Sequence, residues 1–136
     1  MQSALKEACV MSGKRYLLDT NAIIALLQGN NLLVQQLQDA EWVGISIISQ
    51  IEFMAFSGLS EQDLQCFKQF LQRVDVVGLE SNQTELIDLI IQIRQQYRLK
   101  LPDAMIVATA IQCHARLVTT DSQLKNLANV NIFDFT

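Results

Sequence analysis

Five short apolar runs, separated by stretches with helical periodicity, constrain this chain more than any other property of its sequence. Residues 16–18 (YLL), 42–46 (WVGIS), 74–79 (VDVVGL), 116–119 (RLVT) and 130–133 (VNIF) have the length and the apolar content of strands. Between them apolar residues recur every three or four positions, as in Leu64, Phe67, Phe70 and Leu71, or Leu86, Leu89, Ile90 and Ile93. Helices are therefore expected over residues 22–28, stopped by Gly29, and over 32–39, 48–57 and 82–98. Others are expected to start at Ser60, where Asp63 completes a capping-box pattern, at Pro102 (running to about His114), and over 122–127. Strands that alternate with helices pack as a parallel sheet with helices on both faces. The expected fold is α/β, a three-layer α/β/α sandwich around a central, mainly parallel sheet of about five strands.

At 136 residues the chain suits one domain, with no repeat, low-complexity tract or linker to divide it. Residues 15–136 are read as that domain and residues 1–14 as a flexible N-terminal extension, in which Met11 is an alternative start. Half the residues are hydrophobic, with 5 Gly and 1 Pro, which argues against disorder. No apolar run approaches the roughly 18 residues that a membrane span needs, and the N-terminus lacks the apolar core of a secretory signal. No membrane association is expected, and the cytoplasm is the expected compartment. Cys9, Cys66 and Cys113 are too widely spaced for a zinc or redox pair and read as small apolar residues. His114 adjoins Cys113, but neighbours on a helix point about 100° apart, which disfavours a catalytic pair.

The formal charge of −4 excludes a protein that grips nucleic acid by bulk electrostatics, unless cations stand between chain and phosphates. That condition matters because of where four acids fall. Asp19 follows the first strand, Glu52 lies in the helix after the second, Asp103 opens the helix at Pro102, and Asp121 follows the fourth strand. Ligands of such sheets gather at the carboxyl ends of the strands. Each acid also has a purely structural reading. Asp19 or Asn21 could cap the next helix, Ser49 and Glu52 form a capping-box pattern, Asp103 suits a helix N-terminus, and Asp121 could cap the segment after it. Together they say more, since a carboxylate ending a buried strand is poorly solvated and like charges repel. Mg²⁺ solves both problems with oxygen ligands while keeping waters and substrate phosphates in its shell.

The segments LLDTNAIIALL, ISIISQIEF, LKLPDAMIVATA and LVTTDSQL, in this order, resemble those of PIN-domain ribonucleases, and among these the VapC-type toxins of bacterial toxin–antitoxin pairs. The resemblance covers roughly residues 15–135. It implies cleavage of RNA by water activated at Mg²⁺ or Mn²⁺, with Asp19 and Asp103 as principal metal ligands and Glu52 and Asp121 completing the acidic pocket. Thr20 and Asn21 would orient Asp19, and Thr119 would hold a water or an acidic side chain. An antitoxin protein and a homodimer are the partners it implies, besides the RNA substrate. Two departures stand out: Gln123 and Leu124 occupy a stretch where the family often has a further acid and an aromatic, and the lead-in is longer than usual.

Arg94, Arg98 and Lys100 precede Asp103, and with Arg116 and Lys125 they could guide the phosphate backbone; the plainer reading is a solvated helix end whose cations suit the dipole. Asn21 stands where aspartyl phosphatases need a second Asp, receiver-type acids and lysine are missing, and no glycine-rich phosphate loop occurs. The alternative of a different kind is a PIN-like binding module without catalysis, which retention of all four acids disfavours. Apolar density in FMAF (53–56) and CFKQFL (66–71) raises a contact with a partner or a second copy, through residues 23–39 and 48–71, against ordinary core packing.

Overall fold

The computed structural model describes residues 14–136, so the expected extension, with Cys9 and Met11, lies outside the described residues apart from Lys14. The strands are β1 (Arg15–Leu18), β2 (Trp42–Ser46), β3 (Asp75–Val77), β4 (Arg116–Val118) and β5 (Ile132–Phe133). The helices are α1 (Thr20–Leu27), α2 (Asn31–Leu37), α3 (Ile47–Met54), α4 (Glu61–Leu71), α5 (Thr84–Tyr97), α6 (Leu101–Gln112) and α7 (Ser122–Lys125). All the strand pairs are parallel, in the order β3-β2-β1-β4-β5. The expected α/β/α sandwich is thus the observed fold, with every pair parallel instead of most.

Alternation along the strands divides the core. Leu17 and its neighbour Leu117 face one side, where Leu86, Ile90 and Ile93 of α5 and Ile106 and Val107 of α6 cover them. Leu18, Val118 and Ile45 face the other, under Ile23 of α1, Leu33 of α2, Phe53 of α3 and Phe67 and Phe70 of α4. Phe53 and Phe67 stack with ring centroids 4.0 Å apart. Each such side chain, once fully buried, contributes roughly 1.5–3 kcal/mol. No helix among the described residues is long and apolar enough to cross a membrane.

Helix starts follow local chemistry. Asn30 accepts from the Leu33 N–H, and Ser60 and Asp63 exchange both bonds of a capping box. The helix expected from Ile48 starts instead at Ile47, because the Ser46 hydroxyl accepts from the Ile48 N–H. The capping box read at Ser49 and Glu52 therefore does not form: Ser49 is already inside the helix, and Glu52 lies in its second turn. α5 ends at Arg98, whose φ of 54° takes the chain into the left-handed region and round to α6.

Strand order places the ligand crevice. From β1 the chain steps outward to β2 and β3, then returns to the other side for β4 and β5. Connections leaving β1 and β4 diverge, and a crevice opens at their carboxyl ends. At the opposite end, the Trp42 indole donates to Asp75 Oδ2 (2.7 Å) and carries the Arg15 guanidinium 4.7 Å from its centroid. These contacts pin the ring over Gly44, where a Cβ would run into it. Gly44→Ala is expected to lower stability by about 1–3 kcal/mol. Most of that loss should vanish in a Trp42→Ala background, which urea melts of the two single variants and the double variant would measure.

Candidate active site

Asp19 ends β1 and begins α1, and its carboxylate answers to both. Oδ1 accepts from the Thr20 backbone N–H at 2.7 Å, so Asp19 caps α1. Oδ2 accepts from the Thr119 hydroxyl at 2.8 Å, across the β1–β4 pair. The residue is only 5% exposed. Burial, aided by the negative charges of Asp103 and Asp121, pushes its carboxyl up to about 6 against the opposing pull of its two hydrogen bonds.

Thr119 is fully buried and serves as the hub. Its Oγ1 donates to Asp19 and accepts from the Asp121 backbone N–H at 3.0 Å. One side chain therefore fixes the first acid and the turn that carries the fourth. Asp121 in turn caps α7, its Oδ1 accepting from the Gln123 N–H at 2.9 Å. Asn21 accepts from the Thr120 N–H at 3.4 Å and reaches the Thr119 hydroxyl at 3.5 Å. It braces the turn after β4, and no bond runs from it to Asp19, because it lies one position further round α1.

Glu52 enters from α3. The Thr20 hydroxyl, expected to orient Asp19, donates instead to Glu52 Oε1 at 3.0 Å, and only its backbone serves Asp19. Asp103, in the first turn of α6, has its carboxyl pushed up by burial and by the charges of Asp121 and Glu52, while Lys100 draws it down. The four acids thus share one electrostatic field, although among the described residues no three His, Cys, Asp or Glu side chains converge to cage an ion. The donor set is all oxygen and strongly anionic. It fits a hard cation that binds one or two carboxylates and keeps its waters, and it does not fit a closed protein cage.

The expected basic rim divides. Arg94, Arg98 and Lys100 are exposed around the α5–α6 corner, on the approach to Asp103. Arg116 lies elsewhere: it begins β4 opposite Tyr16, at the amino ends of the strands, about 10 Å of strand from the acidic end. Its guanidinium lies over the Phe133 ring at 5.5 Å and its Nε donates to Asn131 at 3.3 Å, so it is no part of this rim. Lys125 pairs with Asp134 at 3.1 Å. The half-buried Cys113, its thiol pushed up by burial, gives its carbonyl to Arg15, while His114 turns away at φ 53°.

A family profile described as PIN domain matches residues 16–130. Among solved structures, the chain is 25% identical to one in a toxin–antitoxin complex from Klebsiella pneumoniae, covering 89% of this chain and 98% of that one with a TM-score of 0.73. DNA-bound VapBC from Salmonella typhimurium matches at 20% identity, over 90% of this chain and 98% of that one, with a TM-score of 0.75. VapBC2 from Rickettsia felis, bound to a promoter DNA fragment, matches at 20% identity over 88% and 97% with a TM-score of 0.73. These last two show the shared fold alone. Among curated proteins none matches.

The Asp19 carboxyl has an ordinary value of 3.8 in an unfolded chain and about 6 in the folded one. Its contribution to stability is therefore fully present below about pH 4 and is lost as pH rises through about 6, where the fold must ionise a buried acid. With a chelator present, Asp19→Asn is expected to raise stability at pH 7 by on the order of 3 kcal/mol. It should also flatten the pH dependence between about 4 and 6. Urea melts across that window would measure both, and a variant with undiminished pH dependence would refute the assignment.

Proposed function

This chain belongs to the PIN-domain family, and from that premise we propose that it is a metal-dependent endoribonuclease, the toxin of a toxin–antitoxin pair. The observation that carries the reading is the common field of Asp19, Glu52, Asp103 and Asp121 at the carboxyl end of the sheet. Caps alone would not need to share it. In this reading Asp19 and Asp103 hold Mg²⁺ or Mn²⁺, with Glu52 and Asp121 completing the pocket directly or through water. A bound divalent cation supplies Lewis acidity and lowers the pKa of water for in-line phosphodiester hydrolysis.

The chain's own groups arrange the rest. Thr119 and the Thr20 N–H fix both oxygens of Asp19, so its lone pairs point in set directions before substrate arrives. Thr20 holds Glu52 on the neighbouring helix. Lys100, beside Asp103, together with Arg94 and Arg98, attracts the RNA backbone toward the acids. The similar chain from Klebsiella pneumoniae sits in a toxin–antitoxin complex, which supports an antitoxin as the protein partner. Leu32 and Val34, exposed on α2, support a contact with that partner or with a second copy in a homodimer.

The purified protein is expected to cut single-stranded RNA with Mg²⁺ or Mn²⁺ and to stop when a chelator is added. Asp19→Asn and Asp103→Asn should each slow cleavage about 100-fold or more while circular dichroism shows the fold intact. Undiminished cleavage by Asp19→Asn would overturn the mechanism.

A further inference from the structure

A groove of about 290 Å³ leads away from the acids between α1, α3 and α4. Thr20 and Glu52 belong both to the site and to the groove wall, Ile24, Phe56 and Leu59 form its apolar flank, and Asp63 adds a second carboxylate. Its volume lies at the small end of ligand pockets, a size suited to one planar heterocycle. Phe56 is 65% exposed, the most exposed of the large apolar side chains described. Its ring is nonetheless backed: it lies so close to Gly58 that a Cβ there would stand 2.8 Å from Cε1. One side of the ring is thus supported by backbone while most of the rest is bare to solvent.

We infer that this groove takes one nucleobase of the RNA substrate, stacked on Phe56, with an exocyclic amino group donated to Asp63; this rests on the ribonuclease reading. Every base has a π-face that an aromatic side chain can accept, so stacking fixes position with little sequence demand. Carboxylates add a preference, because they accept from amino groups such as N4 of cytosine. Uracil, which has none, is least favoured. Glu52 and Asp63 repel phosphate from the groove itself and leave the backbone to the cationic side of the site. Continuity joins the two regions: Glu52, held by Thr20 at 3.0 Å, lies in the groove and also raises the pKa of Asp103. Base and scissile phosphate then belong to one strand.

The test is equilibrium binding of fluorescent oligocytidylate and oligouridylate, with Ca²⁺ in place of Mg²⁺ or Mn²⁺ so that the acids stay neutralised while binding is read. Phe56→Ala is expected to weaken oligocytidylate binding about tenfold, and Phe56→Trp to retain it. Because Phe56 is exposed, thermal unfolding of both variants should match the parent protein. The parent should bind oligocytidylate more tightly than oligouridylate, and Asp63→Asn, which keeps an acceptor for the Ser60 N–H, should erase that difference. Equal binding by parent and Phe56→Ala, or no RNA binding at all, overturns the inference. Phe56-dependent binding by a protein that cuts no RNA would keep the base site and retire the nuclease reading. Metal-dependent cutting with Phe56-independent binding would do the reverse and assign the groove to a protein segment.

Discussion

The Thr119 hydroxyl reaches Asp19 across 100 residues of sequence, and the acidic end of the molecule is built on that bond. It exists because Leu18 pairs with Val118 in parallel register, so that residues 19 and 119 leave the sheet side by side. The Asp19 N–H continues the ladder, donating to the Val118 carbonyl at 3.0 Å, and the Thr119 N–H does the same to Phe133 at 3.1 Å. Backbone pairing thus carries the two residues past the last formal strand position before their side chains meet. Threonine suits the hub because β-branching restricts its rotamers, and one hydroxyl can donate to Asp19 while accepting from Asp121.

Holding a carboxylate there works against folding. Burial and two like charges both disfavour ionised Asp19, and its two hydrogen bonds offset only part of that cost. The scaffold tolerates it because two separate cores clamp β1 and β4, with Leu17 and Leu117 under α5 and α6, and Leu18 and Val118 under α1 to α4. A site raised from central strands keeps its geometry more closely than one carried on loops, so strain in the acids is held in place instead of relaxing. Asp103 and Glu52 come from α6 and α3, two helices that contact each other, which brings the acids together without sharing one element.

The two ends of the sheet divide the chemistry. Asp19 and Asp121 stand at the carboxyl ends, whereas Arg15 lies over Trp42 at the amino ends, beside Asp75, and Arg116 starts β4 there and lays its guanidinium over Phe133 of β5. A cation on an aromatic face gains from the ring quadrupole while covering apolar surface. Arg116 is thereby committed to Phe133 and Asn131, and the positive charge near the acids comes from the α5–α6 corner, where the left-handed Arg98 turns the chain toward Lys100 and Asp103.

The layers, the alternation of strand and helix and the four acids were legible in the chain alone, because they follow from local periodicity and from residue type at strand ends. Ser60 with Asp63, and Pro102, could be read as helix starts for the same reason: the signal lies within a turn. Ser49 with Glu52 had an equally good local pattern and did not form a box, since Ser46, two residues before Ile48, reached the helix N-terminus first. Partners far apart in the chain came to light only in three dimensions. Thr20 bonds Glu52 32 residues away, Asn21 braces a turn 99 residues on, and Arg116 stands at the wrong end of its strand to join the rim. Strand order fixes those distances. A strand's hydrophobic pattern states that it is buried but not which strand it pairs with, and the direction of each side chain at the crevice depends on that pairing.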